Sequence, residues 1–141
     1  MKLLIVDDEP LVVEDIIRIT DWKRINIDSI ATAPNVEAAK RILTEDPIDI
    51  VLCDIEMPQV IGLELLRWVK ANLPETEIVI LTCHAQFSYA QTALRLGGFD
   101  YLLKPADEAS LLRTVMAAEG KIAQRRHMAE RSRQGTLWEL H

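Results

Sequence analysis

Cysteine is scarce in this chain: Cys53 and Cys83 are its two, and they offer neither CxxC spacing nor a secreted disulfide pattern. A disulfide scaffold is therefore excluded, and both read as small buried hydrophobes. No apolar run approaches the length of a membrane span, and Met1-Lys2 with four apolar residues after it is too short for a signal peptide. The expectation is a cytoplasmic protein with no membrane contact. A glycine-rich phosphate loop is missing as well, which removes kinases and P-loop enzymes. His84 has no second His or Cys at metal spacing, so a zinc site is not supported. Internal repeats and low-complexity segments are also absent.

What is present is an apolar, acidic chain. A hydrophobic content of 49% over 141 residues is enough for one domain with a sizeable core. The net charge of −6 conceals an asymmetry, because residues 121–141 carry five Lys/Arg against two Glu, which leaves −9 on the first 120. That acidic body is a poor nucleic-acid binder. The basic end has no aromatic interleaving and reads as a solvated linker helix with a break at Gly135 and an apolar finish at Leu137, Trp138 and Leu140.

Short apolar runs alternate five times with wider, helical periodicity, the pattern of βαβ units. The runs 2–6, 27–33, 48–53, 77–81 and 99–103 are the predicted strands. The first helix should open near Glu9 with Pro10 at its first position and present Leu11, Val12, Ile16 and Ile19. Residues 20–26 read as a loop, and Asn35 as the cap of a helix bearing Val36, Ala39, Ile42 and Leu43. A third helix carries Leu63, Leu66 and Val69, and a fourth through Tyr89, Ala93 and Leu96 stops at Gly97-Gly98. The last begins near Asp107 and shows Leu111, Leu112, Val115, Met116 and Ile122 on one face.

Chemistry concentrates where strands end. Asp7 and Asp8 follow one apolar run and Asp54 follows another, and ligands of open α/β sheets bind beyond such carboxyl ends. Three gathered acids repel one another unless a hard cation sits between them, which points to Mg²⁺. A carboxylate beside Mg²⁺ can accept a phosphoryl group. Thr82 and Lys104 stand at the ends of the next two strands.

The segments Val6-Asp7-Asp8-Glu9, Asp54-Ile55-Glu56-Met57-Pro58 with Gly62, Leu81-Thr82 and Tyr101-Leu102-Leu103-Lys104-Pro105 complete a pattern. In that order and spacing, residues 1–122 resemble the receiver domain of a two-component response regulator. Asp21-Trp22, with the stretch from Leu81 to Tyr101, resembles receivers that precede an AraC-type DNA-binding domain. Gln59-Val60-Ile61 and Pro34 depart from the family's usual residues.

The resemblance implies a flavodoxin-like, doubly wound α/β fold with a five-stranded parallel sheet in the order 2-1-3-4-5. It implies Asp54 as phosphoacceptor for a sensor histidine kinase, and Mg²⁺ held by Asp8, by Asp7 largely through water, by Asp54 and by the Glu56 backbone carbonyl. Lys104 would pair with Asp54 and then with the phosphoryl group, aimed by a cis Lys104-Pro105 bond. Thr82 would sense a phosphoryl oxygen, and Tyr101 would turn inward as Thr82 moves. Glu56 and His84 occupy the positions that tune phosphoryl lifetime. Homodimers on phosphorylation, a linker at 123–141, and DNA contact only through an output domain outside this chain complete the expectation.

The alternative is a Mg²⁺-dependent aspartyl-phosphate phosphatase. It would use Asp54 as nucleophile and a carboxylate two residues on, where Glu56 sits, as general acid. No cap insertion follows, and the nucleophile lies on the third apolar run. A flavin-binding module fits the fold but lacks a Ser/Thr/Gly phosphate loop.

Overall fold

Runs of Val, Ile and Leu too short for helices satisfy their backbone groups by pairing in parallel, which buries both faces. The strands are β1 (Lys2–Val6), β2 (Ser29–Ala33), β3 (Ile50–Asp54), β4 (Glu77–Thr82) and β5 (Asp100–Leu103), in the order β2-β1-β3-β4-β5. These elements come from a computed structural model that describes residues 1–55, 62–83 and 87–139. The helices are α1 (Pro10–Ile19), α2 (Val36–Glu45), α3 (Gly62–Asn72), α4 (Phe87–Arg95) and α5 (Glu108–Glu139). The expected α/β fold and strand order are both present.

Side-chain alternation divides the core between the two faces of the sheet. Leu4, Val6, Val51, Cys53, Ile78 and Ile80 pack toward α2, α3 and α4. Leu3, Ile5, Leu52, Val79 and Leu81 pack with Ile16 of α1 and with Leu111, Val115, Ala118 and Ile122 of α5. Helix ends follow local chemistry. The Asn35 side chain accepts from the Ala38 N–H at 2.8 Å, and Asp107 accepts from the Ser110 N–H at 2.7 Å. Gly97 takes φ +103°, and the Gly98 N–H donates to the Ala93 carbonyl, closing α4.

Several sequence expectations need correction. Leu11 and Met116 are 74% and 54% exposed. The buried stripes run through Ile16 on α1 and through 111, 115, 118 and 122 on α5, and each misplaced residue lies beyond the stripe's edge. The expected loop at 20–26 contains a 3₁₀ turn, Trp22–Ile25. Trp22 is buried there, its indole N–H donating to the Ile16 carbonyl at 3.2 Å, and Asn26 ends the turn at φ 65°. β2 starts at Ser29 rather than Ile27. Cys53 is buried as expected, but Cys83 is exposed because it follows the last residue of β4. Helix α5 runs through Gly135 without a break, since one interior glycine costs only about 1 kcal/mol. Among the described residues, no helix is long and apolar enough to cross a membrane.

Candidate functional site

Register brings the acids together. Val6 pairs with Cys53, so Asp7, one residue beyond β1, stands beside Asp54 at the end of β3. Asp54 in turn lies opposite Leu81, next to Thr82. Asp7 and Asp54 are buried and Asp8 is half-buried. Ligand oxygens from all three carboxylates lie within 4.8 Å of one another.

The two oxygens of Asp7 are separately engaged. Oδ1 accepts from the Glu9 N–H at 2.9 Å, and Oδ2 accepts from Lys104 Nζ at 2.8 Å. Lys104 Nζ also lies 3.3 Å from Asp54 Oδ1, so the ammonium expected to pair with Asp54 bridges both acids and sits closer to Asp7. Its backbone N–H donates to the Thr82 carbonyl at 2.8 Å, and the Lys104-Pro105 peptide is cis, as expected. Burial works against the Lys104 charge, but the hydrogen bond to Asp7 and the fields of Asp54 and Asp7 outweigh it and hold the ammonium above its ordinary value.

Thr82 is buried at the end of β4, and its hydroxyl donates to the Cys83 carbonyl at 3.1 Å. Tyr101 is half-buried and packs on the α2–α4 side of the core, opposite Ile80 in register. Glu56 and His84, the expected lifetime-tuning pair, lie outside the described residues, as does the Glu56 carbonyl expected on the metal.

Two features of the site escaped the sequence reading. Gly62 donates its N–H to the Ile55 carbonyl at 2.9 Å, and a Cβ on Gly62 would collide with the Asp54 carbonyl oxygen, so only glycine allows α3 to start this close to Asp54. The Cys53 thiol donates to the Asp54 carbonyl at 3.3 Å. Burial, then the fields of Asp54 and Asp7, push that thiol far up, leaving it protonated and inert.

A model of the response regulator receiver domain matches residues 3–116. The chain belongs to that family. It is 35% identical over 117 residues to the response regulator protein PilR of Pseudomonas aeruginosa, a match covering 83% of this chain and 26% of PilR. Among solved structures, the receiver domain of AraT, a response regulator from Geobacillus stearothermophilus, is 37% identical with a TM-score of 0.77. That match covers 89% of this chain and 97% of that one. A two-component transcriptional regulator AraC from Clostridium phytofermentans is 25% identical with a TM-score of 0.83, covering 89% and 98%. This receiver spans about a quarter to a half of the length of the first curated relatives it matches.

Receiver domains bind Mg²⁺ at an acidic pocket, and the donor set here fits that ion. All three donors are hard oxygens, and against three carboxylates the ammonium of Lys104 leaves two negative charges for a divalent cation.

Proposed function

We propose that this receiver takes a phosphoryl group onto Asp54 from the phosphohistidine of a sensor histidine kinase, and that the phosphorylated form favours an active surface. The observation that carries the reading is Lys104 Nζ, 3.3 Å from an Asp54 carboxylate that shares a 4.8 Å cluster with Asp7 and Asp8. An Asp54 oxygen attacks phosphorus in line. The O–P bond forms as the P–N bond to the kinase imidazole breaks, and the imidazole leaves with the electron pair and takes up a proton. Mg²⁺ held by these acids would supply positive charge beside the transferring phosphoryl group.

The chain's own residues divide the remaining work. Asp8 would hold the metal directly. Asp7, with both oxygens engaged by Glu9 and Lys104, acts largely through water. The Glu56 carbonyl would complete the metal set, and the Glu56 and His84 side chains would tune the lifetime of the adduct. Lys104 follows the group it neutralises. Thr82 exchanges its bond to the Cys83 carbonyl for a stronger, charge-assisted bond to a phosphoryl oxygen, and Tyr101 turns inward behind it.

That movement reshapes the surface of α4 and β5 and favours a two-fold dimer. Residues 1–122 form the receiver, and 123–141 lead toward an output domain that contacts DNA. The likeness to AraT and to the Clostridium AraC regulator favours an AraC-type output, and the cytoplasm is the setting that fits a kinase partner.

Acetyl phosphate with Mg²⁺ tests the assignment, because an activated acyl phosphate needs only a positioned carboxylate and a metal. Intact mass should show one added phosphoryl group in the parent and none in Asp54→Asn. A persistent adduct on the variant would place the phosphoacceptor elsewhere.

A further inference from the structure

At the opposite end of the sheet from the acids, β4 begins with a carboxylate that no water reaches. Glu77 is 0% exposed, although it is the first residue of its strand. Its Oε1 pairs with Arg125 Nη2 and with Lys121 Nζ at 3.4 Å, and Lys70 Nζ approaches Oε2 at 4.0 Å. Three cations from two helices thus surround one buried anion. Burial lowers Lys70 below its ordinary value; the pull of Glu77 opposes this, and the nearby Lys121 and Arg125 charges add to the lowering. A buried carboxylate is tolerated when paired and is strongly destabilising when a partner is removed.

The position of these contacts on α5 gives them a use beyond neutrality. Among the residues whose burial is described, Ile122 is the last buried one of the helix, and 123–133 are exposed apart from half-buried Arg125. From 123 to 133 the helix buries no apolar side chain against the domain. An open cavity of about 410 Å³ lies along it, lined by Glu75, Arg125, Arg126 and Ala129 among others. The contacts that bridge the gap are polar. Arg125 reaches Glu77 and the Pro74 carbonyl, the latter at 3.2 Å, and Arg126 pairs with Asp49 at 2.6 Å. Asp49 is itself fixed, its other oxygen accepting from the Lys2 N–H at 2.7 Å.

We propose that Glu77 anchors an ionic clasp, with Lys121, Arg125 and the Arg126–Asp49 pair, that sets the direction in which α5 runs past Ile122. Glu77 is then a positioning residue for the helix and takes no part in the chemistry at the acidic end. Without it, Lys121 and Arg125 lose the anion that draws them to the sheet, and the Arg126–Asp49 pair is the ionic contact left. Lys121 and Arg125, about half and a third exposed, can turn to water, so the helix is released while the sheet keeps its apolar core.

Spin labels on Glu45→Cys and Ala129→Cys, in a Cys83→Ser background that leaves buried Cys53 untouched, report the distance from α2 to the far part of α5. The parent should give one narrow distance distribution, and Glu77→Gln should broaden it at least about twofold, as expected of a locally released element. Labelling by acetyl phosphate should be the same in both. A distribution as narrow in Glu77→Gln as in the parent overturns the clasp. If Glu77→Gln does not fold, the double variant Arg125→Gln, Arg126→Gln decides: broadening supports the clasp, and an unchanged distribution overturns it.

Discussion

Replacing Asp8 with Asn should make the receiver more stable without Mg²⁺ and nearly indifferent to Mg²⁺. Two unit charges 4.8 Å apart at an effective dielectric near 20 repel by about 3.5 kcal/mol. Asp8 faces two such neighbours, Asp7 and Asp54, whereas Lys104 pairs with those two acids. Asp8 is half-buried, so water screens much of this repulsion. It also stands just ahead of α1, where an anion gains about 0.3–1 kcal/mol from the helix dipole that the variant forfeits. The balance is a stabilisation of about 1 kcal/mol in EDTA.

Mg²⁺ reverses the ranking. At tenfold excess over its dissociation constant, an ion that binds only the folded state adds about 1.4 kcal/mol. The parent should gain this and Asp8→Asn should gain little. Urea unfolding of both proteins, in EDTA and in Mg²⁺, reads all four numbers. A variant less stable than the parent in EDTA would show that the three acids do not strain one another. Equal Mg²⁺ stabilisation of both would remove Asp8 from the metal site.

Thr82→Ala should still accept phosphate but lose the self-association induced by a beryllofluoride mimic, because the hydroxyl now bonded to the Cys83 carbonyl is the proposed sensor; equal association constants by sedimentation would refute that relay. The native protein should titrate one thiol with a disulfide reagent and two in denaturant, since Cys83 is exposed while Cys53 is buried and held protonated. Two reactive thiols in the native state would contradict the packing around Asp54. Asp107 is held below its ordinary value of 3.8 by the Ser110 backbone hydrogen bond first. The sign follows: its contribution is complete above 3.8 and is lost as pH falls through the lower folded value. Asp107→Ala should therefore be less stable than the parent at pH 7, and the difference should close at strongly acidic pH. A gap that persists there would assign the effect to packing.

Legibility in the sequence tracked how local the determining interaction is. Strand runs, the Asn35 cap, the start of α5 near Asp107 and the Gly97-Gly98 stop are decided by neighbours within four residues, and all are readable. The gathering of Asp7, Asp8, Asp54, Thr82 and Lys104 was legible because each stands at a strand end, where parallel register brings them together. Contacts set by distant partners were not. Lys104 could be assigned to the acids, but its preference for Asp7 over Asp54 depends on a packing 97 residues away. Trp22 offered a motif but no reason, and the reason is the underside of α1 and the Ile16 carbonyl. Glu77 gave one signal, an acid opening a strand of apolar residues, which reads equally as a solvated strand end. Only the return of α5 across the sheet turns it into a buried anion. Gly135 behaves likewise: local propensity marks a break there, yet its cost of about 1 kcal/mol is spread over a helix of 32 residues. That helix is held by the buried stripe from Leu111 to Ile122, a tertiary contact that the residues around Gly135 do not encode.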